Sequence, residues 1–437
     1  MGLGLLRRTW RHDRLALAVM GVASLIAAVA WRATTRPMGD TGSYRATAEV
    51  LRDGWSTLTI RGPGYPLLLL VTGSSNGSTH QLFFVQLAMH AFTVLLVIDI
   101  ARRVSVGRIG RAAIALLLFT PAVLLRVVYE GTEGLAAVLV TAAFWLLLTP
   151  PKPGRRVPWA LGLGAICGAA ALVRPNFALL FVPVAILAAL PRSGGGRWRT
   201  AGLVALPALV IVGGFVVANG VRFDSYSLTP LTPYHLNSKT APYVEELPAS
   251  YEPARSVLIE ERDAGLLRGE SMAPDNYIWH ARPRLEQVTG LQGRALERYL
   301  MEIDLHLITH NPIEYLDTVQ TASLNYTSID SQPAILGLGR PAAWFQTGVH
   351  DVLLVAFFGV LACLPGLVLA GRVPRERLWP IVVGLVLAAY TWFTVVTTET
   401  GTARLRSPSE PILALVLVLA ASIVRVQIQA RRSGTAE

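Results

Sequence analysis

Apolar residues in this chain are neither alternated nor scattered; they fall in runs whose length suits a bilayer. A membrane helix needs about 20 mainly apolar residues. Such runs recur at 15–31, 81–101, 111–127, 132–149, 159–173, 177–190, 201–219, 347–370, 378–397 and 409–425, which predicts about ten spans. The fifth and sixth are short and separated only by Arg174-Pro175-Asn176. They read as a tight helical hairpin with that tripeptide at its tip, with a single kinked or re-entrant element as the alternative.

Three stretches interrupt the apolar pattern on one side. In the first, 32–80, Tyr44, Ala48, Leu51 and Trp55 recur at helical spacing opposite Arg45, Glu49, Arg52 and Asp53, predicting a short amphipathic helix on the membrane surface. The second is the turn Tyr129-Glu-Gly-Thr-Glu-Gly134. The third is a long insert, 220–346. Its beginning, as far as Glu252, is rich in Pro, Tyr, Ser and Thr and reads as irregular loop. Helical periodicity follows over 255–267 and 293–309, and Asn311-Pro312 starts another helix. The insert is too sparse in apolar residues for a core of its own and is expected to cap the membrane part. The predicted fold is thus an all-α polytopic membrane protein. It has an N-terminal module 1–219 of about seven spans, a mostly helical outer insert 220–346, and a C-terminal module 347–437 of about three.

Composition agrees, since 52% of the 437 residues are hydrophobic, too many for an ordinary soluble enzyme. Charge sets the orientation. With the N-terminus in the cytoplasm, the inner loops hold Arg7, Arg8, Arg11 and Arg14, then Arg102, Arg103, Arg108 and Arg111, then Lys152, Arg155 and Arg156. Arg192, Arg197, Arg199, Arg372, Arg375, Arg377, Arg425, Arg431 and Arg432 follow on the same side. That side has 20 basic and four acidic residues (Asp13, Asp99, Glu376, Glu437), leaving 19 basic and 24 acidic outside, as the positive-inside rule requires. The net charge of +11 therefore reports topology, and its division among six loops excludes a nucleic-acid surface. Lys152 and Lys239 are the only lysines, a bias expected of a GC-rich bacterial genome and hence of a plasma membrane. The first run carries Ala28-Val29-Ala30, which resembles a signal-peptidase site; an uncleaved anchor is expected, because cleavage would free the segment that follows. Cys167 and Cys363 both sit in apolar runs and build neither a metal framework nor a disulfide scaffold.

Ionisable residues inside the runs are scarce: Asp99, His90 and Arg126. The others gather at outer ends, including Asp40, Arg61, Glu130, Glu133, Arg174, His235, Glu399, Arg404 and Arg406. Asp40 leads Asp40-Thr-Gly-Ser-Tyr44, and Arg61 and Tyr65 belong to Arg61-Gly-Pro-Gly-Tyr-Pro66. Bland roles exist for each: an Asp or Glu can cap a helix, and an arginine can snorkel to lipid headgroups. Ion pumps and proton-coupled carriers place such groups at mid-membrane; charges at the outer ends instead favour an outer-face reaction on an amphiphilic substrate. A carboxylate there can take a proton from a hydroxyl as its oxygen attacks an anomeric carbon. Arginines can hold the phosphate of a lipid-linked sugar and stabilise its leaving charge.

The order of these features resembles the GT-C superfamily of integral-membrane glycosyltransferases, particularly the dolichyl-phosphate-mannose protein mannosyltransferase and lipid A aminoarabinose transferase branch. Besides the segments above, the matching pieces are Ala171-Leu-Val-Arg-Pro-Asn176, His310-Asn-Pro-Ile-Glu-Tyr-Leu316 and Ala403-Arg-Leu-Arg-Ser-Pro-Ser-Glu-Pro411. The resemblance implies Asp40 as catalytic base and Arg61 in the site. It also implies participation of Glu130 or Glu133, and Tyr65, Arg174 and Arg404 or Arg406, on the same outer side, are the further candidates for the donor phosphate or substrate. The donor would be a polyprenyl-phosphate sugar and the acceptor a hydroxyl of a lipid, glycan or protein in the cell envelope, transferred with inversion. Some relatives bind a divalent metal through a loop acid and a later histidine, for which His235 is the candidate here. The adjacent acidic pair common in the first loop of protein mannosyltransferases is replaced by Asp40-Thr41, and their large soluble insert is missing. A transporter or flippase of a lipid-linked sugar, or an inactive scaffold homologue, is the alternative; neither needs an outer base.

Overall fold

The structure is a computed structural model that describes residues 12–77, 79–149, 151–190, 196–268, 273–328, 339–369, 373 and 375–432. Arg7, Arg8, Arg11, Arg192, Arg372 and Glu437 of the charge pattern lie outside the described residues. Helices dominate. In chain order they are α1 (Arg14–Ala30), α2 (Thr41–Arg52), α3 (Gly64–Val71), α4 (Thr79–Arg103), α5 (Arg108–Leu118), α6 (Pro121–Val128), α7 (Glu133–Leu147), α8 (Arg156–Val173), α9 (Phe181–Ala189) and α10 (Gly196–Phe223). The insert holds α11 (Thr232–Thr240), α12 (Ala254–Leu267), α13 (Ala273–Thr289), α14 (Gly293–His310) and α15 (Pro312–Thr327), and the chain closes with α16 (Gly339–Leu369), α17 (Arg375–Thr398) and α18 (Glu410–Arg432).

The predicted spans lie on helices, with 111–127 divided between α5 and α6, because a backbone in lipid must satisfy its own hydrogen bonds. Among the described residues, five helices are long and apolar enough to cross a bilayer, in α4, α8, α10, α16 and α17, and six if the bent pair α5–α6 is one span. This is a multi-pass membrane protein. The α5–α6 bend of 54° has a local cause. Pro121 opens α6 and pushes Thr120 to extended backbone (ψ 150°), so α5 cannot run on through it. α1, α7 and the Pro175–Ala189 segment are apolar but shorter.

One apolar core, with Phe83, Ile98, Ile114, Phe144, Phe177 and Leu419 among its members, runs through the membrane helices from α1 to α18. The insert departs from expectation in two ways. Its supposed irregular beginning contains α11 and short 3-10 turns at Ala241–Glu246 and Ala249–Tyr251. It also has a core of its own, with Tyr234, Leu258, Tyr277, Leu285, Leu300 and Leu307 buried together. No single segment is strongly apolar; several helices each turn one narrow stripe inward, and tyrosine rings fill the space between them. Of the other four insert helices, α12, α14 and α15 follow the predicted periodicity, with Pro312 at the first turn of α15 as anticipated, while α13 was not predicted.

Candidate active site

The loop after α1 is pinned before it reaches α2. Arg36 N–H donates to the Val128 carbonyl (2.7 Å) and the Arg36 carbonyl accepts from Glu130 N–H (3.1 Å), an isolated parallel bridge to the end of α6. Glu130 then clamps α2 against this turn. Its carboxylate is buried and receives Arg45 in a fork, Nε at 3.1 Å and Nη2 at 2.8 Å, together with the Thr35 hydroxyl at 3.1 Å. Of the two acids in the turn, Glu130 is thus committed to holding the loop. Arg45, on the polar side of the predicted surface helix, closes on that carboxylate while its own side chain stays 31% exposed. Tyr44 and Ala48 are buried, and the Tyr44 ring meets Tyr65 edge-on at 5.1 Å.

Asp40 occupies the N-cap position of α2, yet its carboxylate makes no capping hydrogen bond. Its two oxygens are taken by guanidinium groups distant in sequence. Arg61 Nη2 donates to Oδ1 at 2.6 Å and Arg404 Nη2 to Oδ2 at 2.8 Å. Arg61 is further held by Ser43 Oγ (2.8 Å) and lies over the Tyr44 ring at 5.0 Å. Ser43 sits three residues after Asp40, so both face the same side of the first helical turn. That spacing is the local signal by which Ser43 is recognisable. Burial alone would raise the pKa of Asp40, but the positive charges of Arg61, Arg404 and Arg174 outweigh it and hold the carboxyl below its ordinary 3.8. Burial likewise opposes the charge on Arg404, and Glu133 and Asp40 more than restore it, raising its pKa.

Two glycines explain how Arg61 and Arg404 reach their places. A Cβ on Gly62 would lie 2.4 Å from the Leu172 carbonyl oxygen, so the Arg61-Gly-Pro-Gly turn meets the end of α8 backbone to backbone. Gly401 has φ +78°, and a Cβ there would lie 2.0 Å from the Ala322 carbonyl oxygen. It turns the chain from α17 into the 3-10 turn Ala403–Arg406 that presents Arg404.

Glu133 and Arg174 complete the cluster. Arg404 Nε is 3.3 Å from Glu133 Oε1, and Arg174 Nη1 is 3.8 Å from the same oxygen. Arg174 Nη1 is buried and finds no hydrogen-bond partner among the described residues. Next to it, Asn176 Nδ2 donates to Glu399 Oε1 at 2.7 Å. Burial pushes the Glu399 pKa up, but the charges of His235 and Arg174 with the Asn176 bond bring it below the ordinary value. Asn176 and Glu399 therefore belong to the same neighbourhood, although only Glu399 was visible in sequence as an outer-end charge.

The remaining predicted residues border the cluster and bond to other partners. Tyr65 is fully buried beside Leu69 and Leu82, and its hydroxyl donates to Gln86 Oε1 at 3.2 Å. Arg406 donates to the backbone carbonyls of Tyr326 and Ser328, the latter at 3.0 Å, and so ties α15 to the final turn. Arg126, buried, donates to the Ser407 carbonyl (3.0 Å) and Glu410 (3.3 Å). Arg126, Glu133, Arg404, Arg406 and Met38 line a cleft of about 40 Å3, room for a few waters and not for a sugar phosphate. His235 lies within electrostatic reach of Glu399. Among the described residues no three His, Cys, Asp or Glu side chains gather as metal ligands.

Residues 66–218 match the family model for dolichyl-phosphate-mannose-protein mannosyltransferases. The matched segment contains Glu130, Glu133 and Arg174, while Asp40, Arg61 and Arg404 lie outside it. No curated protein sequence matches the chain. Among solved structures it is similar to ArnT from Cupriavidus metallidurans, determined bound to undecaprenyl phosphate. The identity is 14%, the coverage 95% of this chain and 78% of that one, and the TM-score 0.37. Over its α3–α10 region this chain thus resembles the dolichyl-phosphate-mannose-protein mannosyltransferase family.

Proposed function

We propose that this protein is a membrane glycosyltransferase that moves a sugar from a polyprenyl-phosphate-linked donor to a hydroxyl acceptor on the outer face of the membrane. Asp40 is the general base. The acceptor oxygen attacks the anomeric carbon from the face opposite the phosphate, and its proton passes to Asp40. The bond between that carbon and the phosphate oxygen breaks, inverting the centre, and polyprenyl phosphate leaves with its charge held by arginine.

The observation that carries this reading is the carboxylate of Asp40, which declines the capping role its position offers and sits between Arg61 and Arg404. In the absence of substrate these arginines neutralise the base. A donor phosphate entering the cluster competes for them, and as they turn to it the carboxylate is released to accept a proton. Arg174, with an unpartnered buried N–H group beside Glu133, is a ready donor for a phosphate oxygen. The narrow cleft implies that these ion pairs rearrange when substrate binds. The family match over residues 66–218 supports the donor class.

The test uses purified protein in lipid, a radiolabelled polyprenyl-phosphate sugar and a cell-envelope acceptor fraction. Wild type is expected to transfer label, and folded Asp40→Asn protein to lose at least about 100-fold of that rate. Full turnover by Asp40→Asn would refute the base; lipid binding without transfer by either protein would favour a transporter or a scaffold.

A further inference from the structure

A hollow of about 530 Å3, lined by His12, Arg102, Arg103, Arg108 and Arg111, opens at the end of the bundle away from Asp40. It forms where the start of α1, the end of α4 and the start of α5 come together. The 17 residues of α1 separate it from the Asp40 loop, about 25 Å of helix at 1.5 Å per residue. It is a different site.

The positive-inside rule explains arginines on this face as solvated loop charges, but not their convergence on one cavity above buried counter-charges. Asp13 and Asp99 lie beneath the hollow with side chains 1% and 0% exposed. Asp13 pairs with Arg111 Nε, and Arg102 Nη1 is 3.8 Å away. Asp99 pairs with Arg102 and with Arg103 Nε (2.7 Å), and accepts Trp145 Nε1 at 2.9 Å. The carboxylates thus position the guanidinium groups from below, and four arginines against two acids leave the hollow positive. Arg102 Nη1 is buried without a hydrogen-bond partner among the described residues. The helices that form the rim also carry exposed apolar side chains, Ile109 between Arg108 and Arg111 (77% exposed) and Leu15 beside Arg14 (54% exposed).

We propose that this hollow binds the phosphate of an anionic lipid headgroup from the adjoining leaflet. Guanidinium forks match phosphate oxygens, and basic pockets between membrane helices are suited to acidic headgroups. A soluble diphosphate shares that chemistry, but the apolar rim suits acyl chains and favours the lipid. The proposal stands apart from the transferase reading and requires only that these helices lie in a membrane.

The experiment measures retention of cardiolipin against phosphatidylcholine by the full-length detergent-purified protein, using native mass spectrometry with and without added pyrophosphate. Two variants are compared with wild type: Arg108→Gln, at an exposed position outside both ion-pair groups, and the double variant Arg103→Gln/Arg108→Gln. Wild type is expected to retain cardiolipin selectively, weakened about fivefold by the single change and about 30-fold by the double change. Unchanged melting curves for Arg108→Gln would show that its loss is one of binding. Equal retention of cardiolipin by wild type and Arg108→Gln would overturn the proposal. So would pyrophosphate binding to wild type without lipid selectivity, which would identify the hollow as a site for a soluble phosphate compound.

Discussion

At the scale of single residues the structure separates groups that are chemically alike. Glu130 and Glu133 are three residues apart and both buried, yet one is held by Arg45 and the other lies against Arg404 and Arg174. Arg404 and Arg406 differ in the same way, the first bonded to Asp40 and the second to backbone carbonyls. The environment of Asp40 makes a direct statement about pH. Its folded-state pKa lies below 3.8, so the carboxylate stays ionised as pH falls through the usual carboxylate range. The stability its ion pairs contribute is present above 3.8 and is lost only as pH drops through the lower folded value. The acidic limb of kcat/KM for the free enzyme is therefore expected below 3.8, and Arg404→Gln, which removes a charge and a hydrogen bond from Asp40, should move it upward. A wild-type limb above about 5, or one that stays put in the variant, would count against Asp40 as the titrating base.

At the scale of elements, periodicity located the helices but not their partners. α2 was legible from Tyr44 and Ala48 recurring four apart; that Arg45 on its other side would close on a glutamate 85 positions away was not. Long-range ion pairs leave no local pattern, and an arginine paired with a buried acid reads in sequence like a solvated one. The clamp has a measurable weight. Arg45→Ala leaves Glu130 buried with only the Thr35 hydroxyl for company and is expected to cost about 3 kcal/mol, because the uncompensated charge stays inside. Glu133→Gln, which removes only looser ion pairs of 3.3 and 3.8 Å, is expected to cost less stability and more transfer activity. Thermal unfolding of the two proteins in detergent, set beside their transfer rates, checks the contrast. The reverse ranking would exchange the roles of the two acids.

At the scale of the whole molecule, the insert is a helical unit with a buried core in which Asp304 is placed. Asp304 Oδ1 accepts Asn237 Nδ2 at 3.0 Å and the Thr240 hydroxyl at 2.8 Å, while Oδ2 has no partner among the described residues. Burial pushes its pKa up to about 8, against the pull of those two hydrogen bonds. Unfolded, the carboxyl ionises near 3.8, so between 3.8 and about 8 the folded chain holds a proton that the unfolded chain has lost. Stability should fall as pH rises across that window and level off above it. Asp304→Asn keeps an acceptor for Asn237 and Thr240 without an ionisable proton. Its thermal midpoint at pH 8 should exceed that of wild type, and its pH dependence should flatten; melts at pH 5 and 8 that run parallel for both proteins would refute the assignment. What the sequence by itself determined is the helical membrane architecture, because a lipid environment forces each apolar run to satisfy its own backbone hydrogen bonds and leaves the run length in plain view. It also marked Asp40, Arg61 and Arg404 as charges worth explaining, since ionisable side chains at the ends of apolar runs carry a desolvation cost. Only the tertiary structure decided that one carboxylate would be held by two arginines from opposite ends of the chain, and that weakly apolar segments of the insert would share a core. Both depend on which surfaces meet after the helices pack, and no run, spacing or charge count along the chain encodes that meeting.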